Sequence, residues 1–343
     1  ISLTFFCIPF LFIQNRVTKK NIIFLSFFIF LFIVNYFFGS YKIKNDIYNF
    51  EEDISVKIIS PNFSLDEYSN NSEINQLERL IKISEPEKDK KTLFIWPEGI
   101  FYESNLENIV LYKDLFLKKF SENHLIVLGI NNFVNYNEPI DKKYFNSLVI
   151  LNNKLEIVSV YNKLYLVPFG EFLPFEEFLS KIGLKKITPG YSSFSSGVER
   201  KIIRLGKKFN EKQILPLICY EIIYPGKIKK RNQNPDLVIN ISEDAWFGDS
   251  IGPYQHYTKA IYRAVEEGVF IARSANKGVS GLIDPNGRLI KFLNRSESGN
   301  VEHKMPKYAG FTLYSNYGNK IFFLIILLYI FAILIFKNLK FDE

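Results

Sequence analysis

The stretch "LPLICYEIIYP" (residues 215–225) joins an apolar run to a cysteine, Cys219, which is followed at once by a tyrosine and a glutamate. A short apolar run of this kind is typical of a strand that is buried on both faces. The end of such a strand is a place where a rigid scaffold can present a short reactive side chain. The stretch therefore predicts a buried strand of an α/β sheet, with Cys219 either as a core residue or as a nucleophile.

On both sides of this strand, strand and helix patterns alternate through one domain, from residue 54 to about residue 306. Such alternation, with no repeat and no long linker, predicts a layered α/β sandwich. Polar turns at "NNK" (152–154) and "DPNG" (284–287) predict two hairpins. We predict strands at 54–60, 91–96, 124–130, 213–220 and 236–242, and helices at 73–83, 106–120 and 255–272.

Two apolar runs flank this domain, at residues 21–39 and 321–336, and neither has a polar stripe. A helix rises about 1.5 Å per residue, so the first run can cross a hydrocarbon core of roughly 30 Å. The second run is slightly short, but Lys320 and Lys337 can extend it by snorkelling. Core helices of soluble proteins keep a polar face, so both runs predict membrane helices.

The chain begins with Ile1, and residues 1–13 have the composition of the last part of a further apolar helix. We therefore expect an N-terminally truncated chain. Residues 1–40 would hold the end of one membrane helix and one complete helix, and residues 320–337 the last helix. Basic residues are enriched on the cytoplasmic side of membrane helices. Basic residues flank these helices here, so the domain between the helices is predicted to be extracytoplasmic. The flanking residues are Arg16, Lys19, Lys20, Lys337 and Lys340.

The composition limits the partners and the compartment. With 343 residues, 47% of them hydrophobic, the chain can bury a sizeable core. Its net charge of +7 comes from dispersed lysines, which favours an anionic lipid surface over a nucleic acid as partner. The two cysteines are Cys7, in a predicted membrane segment, and Cys219. An unpaired thiol in an oxidising compartment is unusual, which favours a functional role for Cys219.

Three apolar strands end at residues that can act as base, cation or nucleophile: Glu98 in "LFIWPEG", Lys163 in "VYNKLYL" and Cys219 in "LICYE". A carboxylate can take the thiol proton, an ammonium can stabilise an oxyanion, and the sulfur can attack a carbonyl. The three side chains converge if the three strands are neighbours. Taken singly, each also has an ordinary explanation, as a turn carboxylate, a solvated charge or a core thiol.

These motifs resemble the Glu-Lys-Cys triad of the nitrilase superfamily, and their surroundings resemble the apolipoprotein N-acyltransferase family within it. The matching stretches "IWPEG", "YNKLYLVPFGEFLP", "LICYE" and residues 240–289 extend over the whole domain. The resemblance implies a nitrilase-like αββα sandwich at residues 54–306, flanked by transmembrane helices. It also implies that Cys219 is the nucleophile, Glu98 the general base and Lys163 the oxyanion stabiliser.

The resemblance also implies three residues that support the site: Glu171, Tyr220 and Glu221. The backbone N–H of Tyr220 would be a second oxyanion donor. Two of these residues have ordinary alternatives, because Glu171 could be a loop charge and Glu221 could pair with a surface lysine.

The activity implied by the resemblance is the transfer of an acyl chain from a phospholipid, through a thioester on Cys219, to an amine. The acceptor would be the α-amino group of the lipid-modified N-terminal cysteine of a diacylglyceryl apolipoprotein. The implied protein is a monomeric, multi-pass enzyme of the bacterial inner membrane, with its catalytic domain on the periplasmic side. One alternative is a membrane-anchored amidase that uses water, and another is an inactive lipid-binding module, which the presence of all three triad residues argues against.

The chain departs from the family pattern in the loop after the first predicted strand, which lacks the usual tryptophan and has only Tyr68 nearby. Residues 171–186 are predicted either as a core helix or as an interfacial helix that guides lipid. We predict no cofactor and no metal site, because His124, His256 and His303 are scattered without metal-ligand spacing. His256 is interpreted as a structural histidine before a catalytic one.

Overall fold

The computed structural model describes residues 19–70, 72–135, 142–175, 178, 181, 183 and 193–338. The predicted end of a membrane helix at residues 1–13, which contains Cys7, lies outside these residues. Most of the helix predicted at residues 171–186 also lies outside them. The chain forms two units, one that ends at Tyr48 and one that begins at Asn49.

Helix α1 (Lys19–Asn45) is the described element of the first unit. Its segment Leu25–Asn45 is long and apolar enough to cross a membrane, and none of it is buried within the protein. The C-terminal helix, Lys320–Asn338 in the second unit, has a shorter described apolar stretch, Lys320–Phe331. In the described part of the chain, α1 alone therefore fits a membrane span by length and composition, and the C-terminal span stays a prediction.

Seven of the described strands form the first sheet: β1 (Phe50–Ser60), β2 (Lys91–Ile95), β3 (Phe101–Asn105), β4 (His124–Asn135), β5 (Lys142–Asn152), β6 (Ile157–Asn162) and β13 (Gly299–Pro306). The strand order is β13-β1-β2-β4-β5-β6, and β3 pairs with β4. β2 runs parallel to β4, whereas β4 and β5, and β5 and β6, are antiparallel. It follows that β2 and β6 run in the same direction.

The second sheet contains β7 (Ile203–Arg204), β8 (Gln213–Ile218), β9 (Leu237–Glu243), β10 (Ile271–Asn276), β11 (Ser280–Ile283) and β12 (Leu289–Leu293). The strand order is β12-β11-β10-β9-β8-β7. β8, β9 and β10 are parallel to one another, and every residue of β9 and β10 is buried. Burial on both faces explains why β8 and β9 are mostly apolar in sequence.

The remaining helices are α2 (Leu65–Asn70), α3 (Glu73–Ser84), α4 (Lys113–Lys119), α5 (Gly252–Glu267), α6 (Leu313–Tyr317) and α7 (Lys320–Asn338). Short 3-10 helices occupy Ile109–Tyr112, Lys207–Phe209, Cys219–Ile223 and Ala245–Phe247.

Helices cover the outer face of each sheet. On the first sheet, Leu77 and Leu80 of α3 and Phe116 of α4 share one core with Phe94 of β2. On the second sheet, small residues of α5, such as Ala260, pack into a core with apolar residues of β8, β9 and β10. The order helix, sheet, sheet, helix is the predicted αββα sandwich.

The two sheets face each other closely. Ser274 Oγ on β10 donates a hydrogen bond of 2.7 Å to the Ile59 carbonyl oxygen on β1. Gly129 on β4 is required at this interface, because a Cβ atom there would lie 2.8 Å from Glu98 Cα and 3.1 Å from Ile241 Cδ1. The inner faces of the sandwich therefore bring residues of both sheets into one region.

Two predicted helices differ from the observed ones. The helix predicted at 255–272 is wrong at its end, because α5 stops at Glu267, where Gly268 adopts φ +66° and caps it, and residues from Ile271 form β10. The segment predicted as one helix at 106–120 is instead a 3-10 helix followed by α4. Both predicted hairpins are confirmed, as β5–β6 and β11–β12.

Candidate active site

Glu98 and Lys163 meet at one edge of the first sheet. Glu98 follows β2 and Lys163 follows β6, and the ends of strands that run in the same direction lie at the same edge. Lys163 Nζ lies 3.4 Å from Glu98 Oε1 and 2.9 Å from Glu171 Oε1. All three residues are buried. The two side chains meet although β2 and β6 are not neighbouring strands, so convergence does not require neighbouring strands.

Asn146 on β5 fills the gap between the two carboxylates. Its Nδ2 atom donates to Glu98 Oε1 at 2.6 Å and to Glu171 Oε1 at 2.7 Å, and its carbonyl oxygen accepts from Lys163 N at 2.8 Å. The other oxygen of Glu171 accepts from the Val167 N–H at 2.8 Å. One amide therefore orients both acidic groups and the backbone of the cation.

The Lys163 ammonium is enclosed by protein and paired with two carboxylates. Burial alone would lower its pKa, but the charges of Glu171 and Glu98, together with Cys219, outweigh burial and raise the pKa well above its ordinary value. Lys163 is therefore a permanent cation, which is the state that stabilises a developing oxyanion.

Cys219 comes from the other sheet, directly after β8, and begins the 3-10 helix Cys219–Ile223. It has φ +49°, a left-handed conformation that non-glycine residues rarely adopt and that is often found at functional sites. The residue is partly exposed. Burial of the thiol and the charge of Glu98 raise its pKa well above the ordinary range, against the opposing effect of Lys163. The resting thiol is thus protonated at neutral pH, and its attack on a carbonyl requires a base.

Glu221 connects the Cys219 segment to the Lys163 segment. Its Oε2 atom accepts from the Ile218 N–H at 2.8 Å, just before the nucleophile. Its Oε1 atom accepts from the Leu164 N–H at 2.9 Å, just after the cation, and from Arg200 Nη2 at 2.6 Å. Glu221 is fully buried, so it is not the partner of a surface lysine.

Tyr220 is partly exposed, and its ring packs edge-on against Tyr224 with 5.3 Å between the ring centroids. Its ring therefore lies beside the Cys219 segment. The role of its backbone N–H as an oxyanion donor stays a prediction.

A buried polar network lies behind Cys219. His256 Nε2 is 3.1 Å from the Cys219 carbonyl oxygen, and His256 Nδ1 is 2.9 Å from Asp244 Oδ1. Asp244 follows β9 and also accepts from Arg273 Nη2 at 2.7 Å and from Ser242 Oγ at 2.7 Å. Burial would raise the Asp244 pKa, but Arg273, His256 and Ser242 lower it to about 2.

The structure brings the predicted residues Glu98, Lys163, Glu171 and Glu221 into one hydrogen-bonded region, and it places Cys219 within electrostatic reach of Glu98 and Lys163. Sequence reasoning missed Asn146. Asn146 could have been noticed because it begins the stretch "NSLVIL" of β5, next to a run of apolar residues. An amide buried in such a strand needs hydrogen-bond partners.

Curated relatives are similar to this chain over most of its length. An apolipoprotein N-acyltransferase of Rhodopseudomonas palustris is 31% identical over 301 residues, which cover 82% of this chain and 53% of the relative. One of Bradyrhizobium diazoefficiens is 39% identical over 181 residues, which cover 53% of this chain and 33% of the relative. The predicted resemblance is confirmed, and the matches span about half or less of these relatives.

Solved structures share the fold. A CN-hydrolase superfamily protein from Xanthomonas campestris has a TM-score of 0.51 at 14% identity, covering 81% of this chain and 97% of that chain. An amidase from Nesterenkonia sp. has a TM-score of 0.50 at 15% identity, covering 77% and 94%. The family model for carbon-nitrogen hydrolase matches residues 115–307, more than half of the chain. This chain belongs to the carbon-nitrogen hydrolase family.

Proposed function

We propose that this chain transfers an acyl chain from a phospholipid to the α-amino group of the lipid-modified N-terminal cysteine of an apolipoprotein, through a thioester on Cys219. The observation that supports the proposal is the buried pair of Lys163 and Glu98, 3.4 Å apart, with the Cys219 thiol within electrostatic reach of both charges. The similarity to apolipoprotein N-acyltransferases supports this choice of donor and acceptor. The unburied apolar helix Leu25–Asn45 is compatible with a lipid substrate.

In the first half-reaction, Glu98 takes the thiol proton while the Cys219 sulfur attacks the ester carbonyl carbon of the phospholipid. The carbonyl oxygen becomes an oxyanion, which the Lys163 ammonium stabilises. The carbon–oxygen bond of the ester then breaks, and Glu98 returns the proton to the departing alkoxide of the lysophospholipid. A thioester remains on Cys219.

In the second half-reaction, the amine of the acceptor attacks the thioester carbon and loses its proton to Glu98. The carbon–nitrogen bond forms, the carbon–sulfur bond breaks, and the thiolate of Cys219 recovers the proton. Exclusion of water from the site protects the thioester until the amine arrives. Glu171, Tyr220 and Glu221 act as supporting residues in this scheme.

The test is intact mass spectrometry of the detergent-solubilised chain after incubation with a phospholipid of defined acyl chains. We expect a mass increase of one acyl group that hydroxylamine removes and that Cys219→Ala lacks. A chain that stays unmodified, with Cys219 still free, would contradict the proposal. A lipid-modified acceptor peptide should then discharge the adduct and gain the acyl group.

A nitrilase-superfamily amidase is distinguished by the same experiment. An amidase would lose the adduct to water at the same rate with and without the acceptor peptide, and it would hydrolyse a C–N bond.

We further propose that the chain is a monomer in the bacterial inner membrane, with residues 54–306 as its catalytic domain on the periplasmic side and residues 320–337 as its last membrane helix. The basic flanks of the apolar segments support this orientation.

A further inference from the structure

The left-handed backbone of Cys219 needs an explanation that the acyl-transfer scheme does not supply. Cys219 has φ +49°, which is disfavoured for a residue with a Cβ atom. Such a conformation persists only where the surrounding contacts enforce it. One of these contacts is a hydrogen bond that a residue of helix α5 donates to the Cys219 carbonyl oxygen.

The donor of this bond is His256, a buried residue of α5. Its Nε2 atom lies 3.1 Å from the Cys219 carbonyl oxygen. A carbonyl oxygen can only accept, so Nε2 carries the hydrogen. The helix thereby reaches the backbone of the nucleophile across the end of β8.

Asp244 orients the histidine ring from its other side. Asp244 Oδ1 lies 2.9 Å from His256 Nδ1, and the carboxylate is itself held by Arg273 Nη2 at 2.7 Å. Asp244 and Arg273 are both fully buried, so this arrangement is shielded from solvent. Space is tight here, because a Cβ at Gly278 would lie 2.2 Å from Asp244 Oδ2.

The same carboxylate also acts on the thiol side of Cys219. Ser242 Oγ donates to Asp244 Oδ1 at 2.7 Å, and both residues influence the pKa of the Cys219 thiol. Asp244 is therefore linked through His256 to the carbonyl oxygen of the nucleophilic residue and lies within electrostatic reach of its sulfur.

We propose that His256, oriented by Asp244, is a positioning residue that holds the Cys219 backbone in its left-handed conformation and so aims the sulfur at the substrate carbonyl. The inference deepens the proposed function and rests on Cys219 being the nucleophile. His256 itself touches neither the substrate nor the sulfur in this scheme; it acts through the Cys219 carbonyl oxygen.

Two substitutions separate positioning from simple support of the fold. The amide nitrogen of glutamine can occupy the position of Nε2, so His256→Gln keeps the donor to Cys219. The amide nitrogen of asparagine reaches only the position of Nδ1, so His256→Asn keeps a partner for Asp244 and loses the bond to Cys219. His303→Gln, on β13 and outside the site, is the matched control.

Each variant is made in the 343-residue chain with Cys7→Ala, and two rates are measured by intact mass. The first is acylation of Cys219 by saturating phospholipid, and the second is alkylation of Cys219 by iodoacetamide, which needs no lipid site. We expect His256→Asn to slow acylation on the order of 10- to 100-fold, with the half-saturating lipid concentration unchanged, because a misplaced nucleophile loses rate and not binding. We expect alkylation to slow in the same variant, and His256→Gln and His303→Gln to stay close to the parent.

Equal rates in His256→Asn and the parent would overturn the proposal, and so would equal losses in His256→Asn and His256→Gln with equally lowered melting temperatures. The alkylation arm keeps this test separate from the proposed function. If the parent forms no acyl adduct but alkylation is slow in the Asn variant and normal in the Gln variant, the positioning role stands and the acyltransferase proposal fails.

Discussion

The amide N–H of Glu243 donates a 3.1 Å hydrogen bond to Glu98 Oε2, and this bond joins the end of β9 in one sheet to the turn after β2 in the other. The second oxygen of Glu98 faces Asn146 and Lys163. Glu98 is thus held at the junction of the two sheets, beside Cys219, whose pKa it raises. Its position suits a base that takes a proton across the gap between the sheets.

Glu98→Gln should change two reactions of Cys219 in opposite directions. Removal of the negative charge lowers the Cys219 pKa, so alkylation by iodoacetamide at a fixed neutral pH becomes faster. Acylation by phospholipid becomes slower, on the order of 100-fold or more, because the base is missing. Both rates are followed by intact mass. A Glu98→Gln variant with unchanged acylation would remove Glu98 from the role of base.

Asn146→Leu leaves two buried carboxylates without their shared donor. We expect the free energy of unfolding to fall by about 1–3 kcal/mol, as for other unsatisfied buried polar groups. Acylation should slow on the order of 10- to 100-fold, since Glu98 and Glu171 lose their orientation. Asn123→Ala, which removes an exposed amide bonded to the Lys88 carbonyl oxygen, is the control and should change neither quantity. Parent-like stability and rate in Asn146→Leu would contradict the bridging role.

Lys163→Met removes a buried cation from between two carboxylates. Breaking a buried ion pair on one side typically costs on the order of 3–5 kcal/mol, so chemical unfolding in detergent should report a loss of that size. The acyl adduct should disappear as well. Lys163→Arg should not restore it, because the planar guanidinium differs from an ammonium in shape and reach. Lys90→Met, at a partly exposed ion pair, serves as the control, and an active Lys163→Met variant would exclude the oxyanion role.

The Asp244 carboxylate makes the free energy of unfolding depend on pH in the acidic range. Its folded-state pKa is about 2, below the ordinary 3.8, so its stabilising effect is complete above about pH 4 and is lost as the pH falls toward 2. The size of this loss is about 2 kcal/mol. Melting curves of the parent and Asp244→Asn over this range should therefore converge as the pH falls. A constant difference between the two would mean that Asp244 is not the group that titrates.

The predicted orientation can be tested with single cysteines in a background of Cys7→Ala and Cys219→Ala. A cysteine at the exposed position Asp249 should react with a membrane-impermeant maleimide in intact spheroplasts, because residues 54–306 are placed outside the cytoplasm. A cysteine at Lys19 should react only after lysis. The reverse labelling pattern would show that the domain is cytoplasmic.

Local pattern was sufficient for much of the fold. The buried strands β8 and β9 are continuous apolar runs, and both hairpins contain polar turn residues, so each can be recognised within a few residues. The end of α5 was misplaced because the apolar residues of β10 continue the helical pattern past Gly268, and only sheet pairing with β9 decides that they form a strand. Tertiary pairing overrides local preference at such boundaries.

The sequence by itself predicted a layered α/β sandwich and singled out Glu98, Lys163 and Cys219 as candidates for base, cation and nucleophile, because these predictions depend on burial patterns and on short motifs at strand ends. Only the tertiary structure decided that Asn146 lies between Glu98 and Glu171, that Glu221 ties the Lys163 and Cys219 segments together, and that His256 reaches the carbonyl oxygen of Cys219. The physical reason is distance along the chain. Apart from the bond between Ile218 and Glu221, these contacts join residues 25 to 57 positions apart, and the one between Leu164 and Glu221 exists only once the two sheets have stacked face to face.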